Sequence, residues 1–569
     1  MLKYRIYNCH CAVTHGGIDE MTAHVMRCVD DAVMLGMNIF VMAKDWPVQT
    51  ADVVRFKYFP PLTEYADESL TKRYATAYAR LAAYAKRAGL EFFISTTEFN
   101  VPKQAYIKYP DWAGARRELG WELLPGANPC FTHPYTREHF AAKIRELCEI
   151  APDAAGFELW LGEKLDSPLY CACEKCRALP AGERLLQVIL WLRDALKIYG
   201  PGKKIIARSY LCAGRCFREP EVFGPVLDKL PSDIIFALKG QYGDFMYLND
   251  PHPLAGKLLC ETVIEFDLGG EKRGFHYGYF SGITGYLQMR MRRYLKAGAK
   301  GFMFRHIDWL GDVNRAQAFA AAKLCAEPKT RGENHEANYL ASRFGKDAAA
   351  ALCGLMRTGA QICETDLHII GCGAFSCLGT FPESMTRFKY NVFDHSARMK
   401  KGALERLMKN AGDPSEALAE KDLARSLALK FEAELEKARN LLPEKTYGGL
   451  KLSAEAMKLL CEPHRLLTEL FFAFLRYERS VYSDGRLSAA HSLADIIRRA
   501  REWSKRRGEA LGQIDLPLLR KLQGIDFAVR AQLDAENPRI EYEQVTALCE
   551  RVENALDKNW EYFNWNIVI

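Results

Sequence analysis

Residues 234–245 have the sequence IIFALKGQYGDF, and residues 262–267 have the sequence TVIEFD. Each segment contains an apolar run of the length and composition of a buried strand. The second run includes a carboxylate, Glu265, and Asp244 follows the first. A buried charge is costly unless it is paired or used. Two carboxylates at the ends of neighbouring parallel strands therefore indicate a catalytic mouth.

Similar apolar runs alternate with amphipathic helical patterns through the first 328 residues. This alternation is typical of a parallel α/β architecture, and eight strands fit a (β/α)8 TIM barrel. The predicted strands are Tyr4–Asn8, Asn38–Ala43, Leu90–Thr96, Gly156–Leu161, Lys204–Tyr210, Ile234–Leu238, Thr262–Asp267 and Gly301–His306.

The predicted connections between the strands include helices with one apolar face. Phe140, Ile144 and Leu147 recur at helical spacing, and residues 21–35 show a similar pattern. Gly36 and Gly89 follow two such helices, where a left-handed residue would end them. Residues 100–135 form a connection too long for a simple turn, which is typical of a substrate-binding loop.

Beyond Pro328 the pattern changes to long helices without strands, including residues 418–442, 454–482 and 488–505. We therefore predict a barrel catalytic domain over residues 1–328 and an α-helical C-terminal domain over residues 329–569.

The composition excludes several classes of protein. The net charge is +7 over 569 residues, and basic and acidic residues are interleaved without the basic stripe of a nucleic-acid-binding protein. The N-terminus has no signal-peptide pattern and the chain has no long apolar run, so we expect a cytoplasmic protein without membrane association. The 18 cysteines are expected to be mostly reduced thiols.

In a TIM barrel the functional side chains lie at the carboxyl ends of the strands. These positions hold carboxylates, cations and tryptophans, the mixture that sugar recognition requires. They are Asp45, Trp46, Glu98, Trp160, Glu163, Arg208, Lys239, Asp244, Glu265, Arg305, His306, Asp308 and Trp309.

Two of these segments carry a family resemblance. Residues 239–245, KGQYGDF, followed by residues 263–271, VIEFDLGGE, resemble the part of glycoside hydrolase family 67 α-glucuronidases in which an Asp and a Glu flank the attacking water. The resemblance implies that Asp244 and Glu265 hold and deprotonate this water. It also implies an inverting mechanism, with Lys239 as a cation for the sugar carboxylate.

Glu163 is the predicted general acid. The preceding residues 151–157, APDAAGF, resemble the approach of that family to its fourth strand, which ends in the acid. Glu158 is the competitor, although it lies inside the strand. The structural alternatives are a surface ion pair for Glu163, a turn residue for Asp244 and a buried ion pair for Glu265.

Arg208 corresponds to an arginine of the family, and with Lys239 it would bind a uronate carboxylate, since guanidinium groups bind carboxylates in a bidentate manner. An ion pair with the acids of the barrel is an equal alternative for both residues. Trp160 and Trp309 are candidate sugar platforms, with packing roles as the alternative. Glu98, Arg305 and His306 complete the predicted substrate-binding set.

The chain departs from the family in two places. Residues 159–162, LWLG, lack the Lys and Asp that precede the acid in the family, and its N-terminal β-rich domain has no counterpart. Residues 171–176, CACEKC, resemble instead an element of uncharacterised bacterial barrel domains. Three thiolates at this spacing could bind zinc with Cys212 or Cys216, but reduced structural thiols are the favoured interpretation.

We therefore expect a glycoside hydrolase that removes a terminal uronic acid from an oligosaccharide, without a cofactor or metal. An N-acetylhexosaminidase-like enzyme is the first alternative, although the usual Asp-Glu pair is replaced by Gly162-Glu163. A non-catalytic carbohydrate-binding barrel is the second, because a fold does not determine a function. The sequence is compatible with a homodimer.

Overall fold

The computed structural model describes residues 2–9, 18–42, 53–96, 101, 104–114, 129–161, 171–209, 223–240, 251–268, 279–306, 312–375, 392, 403–479 and 486–511. Eight parallel strands form a closed barrel in which each strand pairs with the next in sequence and β8 pairs with β1. The predicted (β/α)8 fold is confirmed. The strands are β1 Tyr4–Cys9, β2 Ile39–Met42, β3 Glu91–Thr96, β4 Gly156–Leu161, β5 Lys204–Ser209, β6 Ile235–Lys239, β7 Glu261–Asp267 and β8 Gly301–His306.

Side chains alternate between the two faces of each strand. On β4, Phe157, Leu159 and Leu161 pack in the core outside the barrel, whereas Gly156 faces its interior. A Cβ atom at Gly156 would lie 2.2 Å from the Lys204 carbonyl oxygen, so only glycine fits there. The interior is filled by Tyr4, Ile6, Ile39, Val41, Phe93, Ile206, Ile235, Ala237, Val263 and Met303.

The amino-terminal end of the barrel carries ion pairs near the solvent. The Glu261 carboxylate lies 2.5 Å from Lys3 Nζ and accepts a hydrogen bond from the Tyr4 hydroxyl. Lys204 Nζ lies 2.6 Å from Glu91 Oε1. These charges remain partly exposed, so each contributes little to stability.

Helices cover the outside of the barrel. The two glycines predicted to end helices have the expected left-handed conformation, with φ of 69° at Gly36 and 81° at Gly89. The helices up to residue 326 are α1 Ile18–Met34, α2 Glu68–Arg87, α3 Ala105–Lys108, α4 Pro134–Ile150, α5 Glu174–Arg177, α6 Ala181–Tyr199, α7 Thr284–Lys296 and α8 Asp312–Ala326, with 3₁₀ turns at Pro60–Tyr65, Pro110–Trp112 and Gly224–Lys229.

The described chain after α8 is mainly helical, as predicted. The helices of this region are α9 Gly332–Phe344, α10 Lys346–Asp366, α11 Ala403–Asn410, α12 Ser415–Lys437, α13 Glu444–Arg479 and α14 Arg486–Leu511, with a 3₁₀ turn at Arg439–Leu441.

No helix of the described ranges is long and apolar enough to cross a membrane. The cytoplasmic location stays a prediction.

The expectation that no strand follows Pro328 is wrong in one place. His368–Ile369 and Cys372–Gly373 pair as a two-stranded antiparallel hairpin. Its turn has positive φ at Ile370 (52°) and Gly371 (80°), which is the geometry that joins short antiparallel strands. Each strand of this hairpin has two residues, which is too short for an alternating apolar pattern. The sequence pattern therefore does not predict the hairpin.

The helical region has a second apolar core, and a segment of the barrel domain enters it. Tyr279 and Phe280, which precede α7, are buried in this core. The Phe280 amide donates to Ser453 Oγ at 2.7 Å, and the Tyr279 hydroxyl donates to Asp366 Oδ2 at 2.7 Å. Contacts therefore cross the predicted boundary at residue 328, and the division into two domains stays a prediction.

Candidate active site

Polar side chains cover the apolar interior at the carboxyl end of the barrel. Each of these residues follows an interior residue of its own strand by two or four positions. Because successive side chains of a strand point to opposite faces, all of these side chains point into the barrel. All are buried, with Trp160 the most accessible at 6%. This mouth cluster consists of Asn8 on β1, Ser95 on β3, Glu158 and Trp160 on β4, Arg208 on β5, Lys239 on β6, Glu265 on β7 and Arg305 on β8.

Glu265 is the centre of the mouth cluster. Arg208 binds it in a bidentate manner, with Nε 2.8 Å from Oε2 and Nη2 2.5 Å from Oε1. Lys239 Nζ lies 3.4 Å from Oε2, because Lys239 and Glu265 are paired neighbours in the sheet. The side-chain nitrogen of Asn8, Nδ2, lies 3.5 Å from Glu265 Oε1. The ion pair that the sequence offered as an alternative role for Glu265 is therefore present.

These contacts determine the protonation of Glu265. Burial raises the pKa of its carboxyl, but the charges of Arg208 and Lys239 and the hydrogen bonds from Arg208 outweigh that effect. The pKa of Glu265 falls to about 2. The carboxylate is ionised at neutral pH, and a group with so low a pKa is a weak proton acceptor.

Glu158 is the second carboxylate of the mouth cluster and has a different environment. Its Oε1 lies 3.6 Å from Arg208 Nε, beyond hydrogen-bonding distance. Burial raises the pKa of Glu158, while the charge of Arg208 and the Ser95 hydroxyl act in the opposite direction. A carboxyl group whose pKa is raised can carry a proton at higher pH, as a general acid or base does.

The sequence interpretation ranked Glu158 behind Glu163 because Glu158 lies inside β4. The structure brings Glu158 into the mouth cluster, on the same guanidinium group as Glu265. The signal was available, since Glu158 is a charge within the buried run GFELWL, the same observation that selected Glu265. The side chain of Glu158 also points to the same face of β4 as the side chain of Trp160, because the two residues are two positions apart.

The mouth cluster contains both cationic and anionic groups. Among its described residues, Arg208, Lys239 and Arg305 face the two carboxylates of Glu158 and Glu265. The guanidinium carbon of Arg208 also lies 4.4 Å from the centre of the Trp160 ring, a cation–π contact. The cluster therefore places cationic groups beside an aromatic surface.

The structure tests the placement of only part of the predicted site. The structure brings together Trp160, Arg208, Lys239, Glu265 and Arg305, and their catalytic and substrate-binding roles stay predictions. His306 is the last residue of β8, and only its backbone is described. Several predicted positions lie outside the described residues, namely Asp45, Trp46, Glu98, Glu163, Asp244, Asp308 and Trp309.

Two groups of side chains elsewhere have the spacing of metal ligands. One consists of Cys9, His24 and Cys28. The other consists of Cys130, Cys171, Cys173 and Cys176, and thus contains the CACEKC motif. Its fourth cysteine is Cys130, whereas the sequence suggested Cys212 or Cys216, which lie outside the described residues.

Neither a protein-family model nor a curated protein sequence matches the chain. Among solved structures, it is similar to a GH138 enzyme targeting pectin rhamnogalacturonan II, with a TM-score of 0.62 and 12% identity over 96% of this chain and 84% of that one. A mutant O-GlcNAc hydrolase of Thermobaculum terrenum gives a TM-score of 0.44, at 11% identity over 98% and 97% of the chains. A GH20 exo-β-N-acetylglucosaminidase of Vibrio harveyi gives 0.38, at 13% identity over 63% and 59%.

The last two TM-scores are low, so the fold comparison rests on the first structure alone. Membership of family 67 stays a prediction. The chain shares the fold of that GH138 enzyme, a (β/α)8 barrel followed by helices.

Proposed function

We propose that the protein is a glycoside hydrolase that removes a terminal uronic acid, α-linked glucuronate, from an oligosaccharide. One observation carries this proposal. The mouth cluster buries three cationic side chains and two carboxylates at the carboxyl ends of the barrel strands, where TIM-barrel enzymes have their active sites.

The three buried cationic side chains of the mouth cluster favour an acidic sugar over a neutral one. A uronate carboxylate would bind to the cationic groups of Arg208, Lys239 and Arg305 through charge-assisted hydrogen bonds. Trp160, which already packs against Arg208, offers an aromatic face for the sugar ring.

In the proposed mechanism, carboxyl groups with different pKa values have different catalytic roles. Glu163 protonates the leaving oxygen, and Asp244 and Glu265 hold the attacking water, with inversion at the anomeric carbon. Because the pKa of Glu265 is about 2, Asp244 takes the proton and Glu265 orients the cations and the water. Glu158 is a further proton carrier beside Arg208.

The experiment compares an α-glucuronosyl oligosaccharide with the matching α-glucosyl oligosaccharide, with proton NMR to identify the first anomer formed. We expect hydrolysis of the glucuronosyl substrate only, with an inverted product. Arg208→Lys keeps one positive charge but loses the bidentate geometry. This variant should lose about 100-fold in kcat/KM.

The barrel offers matched controls at its other end. Glu261 lies four residues before Glu265 on β7, and Lys204 lies four residues before Arg208 on β5, both near solvent. Glu261→Gln and Lys204→Met should retain activity, whereas Glu163→Gln and Glu265→Gln should lose it. Equal hydrolysis of both substrates would contradict uronate specificity. Binding of glucuronate without turnover would favour the carbohydrate-binding alternative.

A further inference from the structure

We infer that Cys130, Cys171, Cys173 and Cys176 form a structural zinc site with four thiolate ligands. This inference does not depend on the proposed glycosidase function. It differs from the sequence interpretation, which favoured reduced thiols and found only three cysteines close in sequence. The structure supplies the fourth from a distant loop.

The spacing of the sulfur atoms fits one tetrahedral ion. All four Sγ atoms lie within 4.8 Å of one another. Cys130 Sγ is 3.7 Å from Cys176 Sγ and 3.8 Å from Cys173 Sγ. Four sulfurs at about 2.3 Å from a zinc ion are about 3.8 Å apart. A disulfide would require about 2.05 Å, so these contacts are not disulfide bonds.

The surroundings are also those of thiolates rather than of packed apolar thiols. The Cys176 amide donates to Cys173 Sγ at 3.4 Å, and the Thr132 hydroxyl lies 3.3 Å from Cys130 Sγ and 3.6 Å from Cys176 Sγ. The amide donor stabilises sulfur that carries negative charge, and the Thr132 hydroxyl can donate to one of its two sulfur neighbours. The buried Arg184 donates to the Cys171 carbonyl at 3.2 Å and brings a positive charge to the site.

Four cysteines close the coordination sphere, which is the arrangement of structural rather than catalytic zinc. Cys130 precedes α4 in the connection after β3, and the other three precede α6 in the connection after β4. The ion would join two consecutive connections on the carboxyl side of the barrel. It would thereby fix the starting points of α4 and α6 next to the active-site mouth.

The first test is the metal content of the purified full-length protein, measured by mass spectrometry. We expect one zinc ion per chain. Cys130→Ser and Cys173→Ser should lose it, whereas Cys148→Ser and Cys260→Ser, which change buried cysteines outside the group, should retain it. Cys28→Ser tests the Cys9, His24 and Cys28 group and should also retain it. Iron in place of zinc, or zinc retained by the Cys130→Ser/Cys173→Ser double variant, would overturn the assignment.

The second test needs no variant and so does not depend on whether the variants fold. Removal of the metal from the wild-type protein with a chelator should lower its Tm, and zinc chloride should restore it. Cobalt chloride added to the stripped protein should give the absorption of tetrahedral cobalt–thiolate coordination. A stripped protein with unchanged Tm and no cobalt spectrum would refute the site.

Discussion

The same residue type has opposite roles at the two ends of β7. Glu261 is half-exposed and pairs with Lys3, whereas Glu265 is buried and bound by Arg208 in a bidentate manner. Both side chains face the barrel axis, so their different exposure to solvent follows from their different positions along that axis. Removal of one partner from the buried pair leaves an uncompensated charge and costs about 3–5 kcal/mol, whereas an exposed pair contributes little.

Glu336 shows at the residue scale how burial raises the pKa of a carboxyl group, even though the charge of Arg357 acts in the opposite direction. It lies on α9, is 6% exposed and accepts a hydrogen bond from the Thr284 hydroxyl. Burial raises its pKa to about 7, against the lowering effect of that hydrogen bond and with a further increase from the charge of Glu333.

This raised pKa predicts a pH-dependent stability. The folded state keeps the Glu336 proton up to about pH 7, whereas the unfolded chain releases it near its ordinary pKa of about 4.3. The free energy of unfolding should therefore fall as the pH rises from about 4.3 to about 7. At pH 8, Glu336→Gln should be more stable than the wild type by roughly 3 kcal/mol, and at pH 4 the two should be equal.

The measurement is urea unfolding of Glu336→Gln at the two pH values. Glu405→Gln changes an exposed carboxylate of the helical region and is the control, which should follow the wild type at both. A Glu336→Gln variant with the same difference from the wild type at pH 4 and pH 8 would contradict the assigned titration.

At the scale of single elements, α10 shows how one helix is held against the barrel domain. The Gly282 amide donates to the Met356 carbonyl at 3.0 Å, so the segment before α7 lies directly on α10. Gly359 makes this approach possible, since a Cβ atom there would lie 1.9 Å from the Phe280 carbonyl oxygen. Gly354, on the same helix, has open space around it.

The two glycines predict opposite effects of the same substitution. Gly359→Ala forces the Phe280 backbone away and should destabilise the protein by about 1–3 kcal/mol. Gly354→Ala removes only the helix-propensity penalty of glycine and should stabilise it by up to about 1 kcal/mol. Urea unfolding followed by circular dichroism measures both changes. A stabilised Gly359→Ala variant would show that the close approach is not required.

The sequence predicted the elements better than their contacts. All eight strands were predicted within one residue at every end, because buried parallel strands are continuous apolar runs bounded by helical patterns. The joining of Cys130 to the CACEKC motif could not be predicted, since α4 and β4 separate them in sequence. The sequence offered an ion pair for Glu265, but its bidentate geometry with Arg208 could not be predicted, because side-chain conformation decides which cation a carboxylate meets.

At the scale of the whole molecule, the barrel and the helical region contribute residues to the same apolar core. Tyr279, Phe280, Val313 and Ala316 precede residue 328 but are buried in the core of the helical region. Asp366 links both sides, because it accepts a hydrogen bond from Tyr279 and lies 2.7 Å from His464 Nδ1. We therefore expect the two predicted domains to depend on each other.

A chain that ends at residue 328 tests this dependence. It would expose Tyr279, Phe280, Val313 and Ala316, and we expect it to bind the dye ANS and to lack the near-ultraviolet circular dichroism of the full-length chain. Calorimetry of the full-length chain should give one cooperative transition. Two separate transitions, or a truncated chain that unfolds cooperatively, would establish two independent domains.

The pairing of β1 with β8 has a consequence for synthesis on the ribosome. Tyr4 lies beside Gly301 and Cys9 beside His306, so one edge of the first barrel strand is covered by the last barrel strand. Until residue 306 has left the exit tunnel, β1 presents unpaired backbone groups to other nascent chains. Production in cells should therefore depend on chaperones that shield this edge during translation.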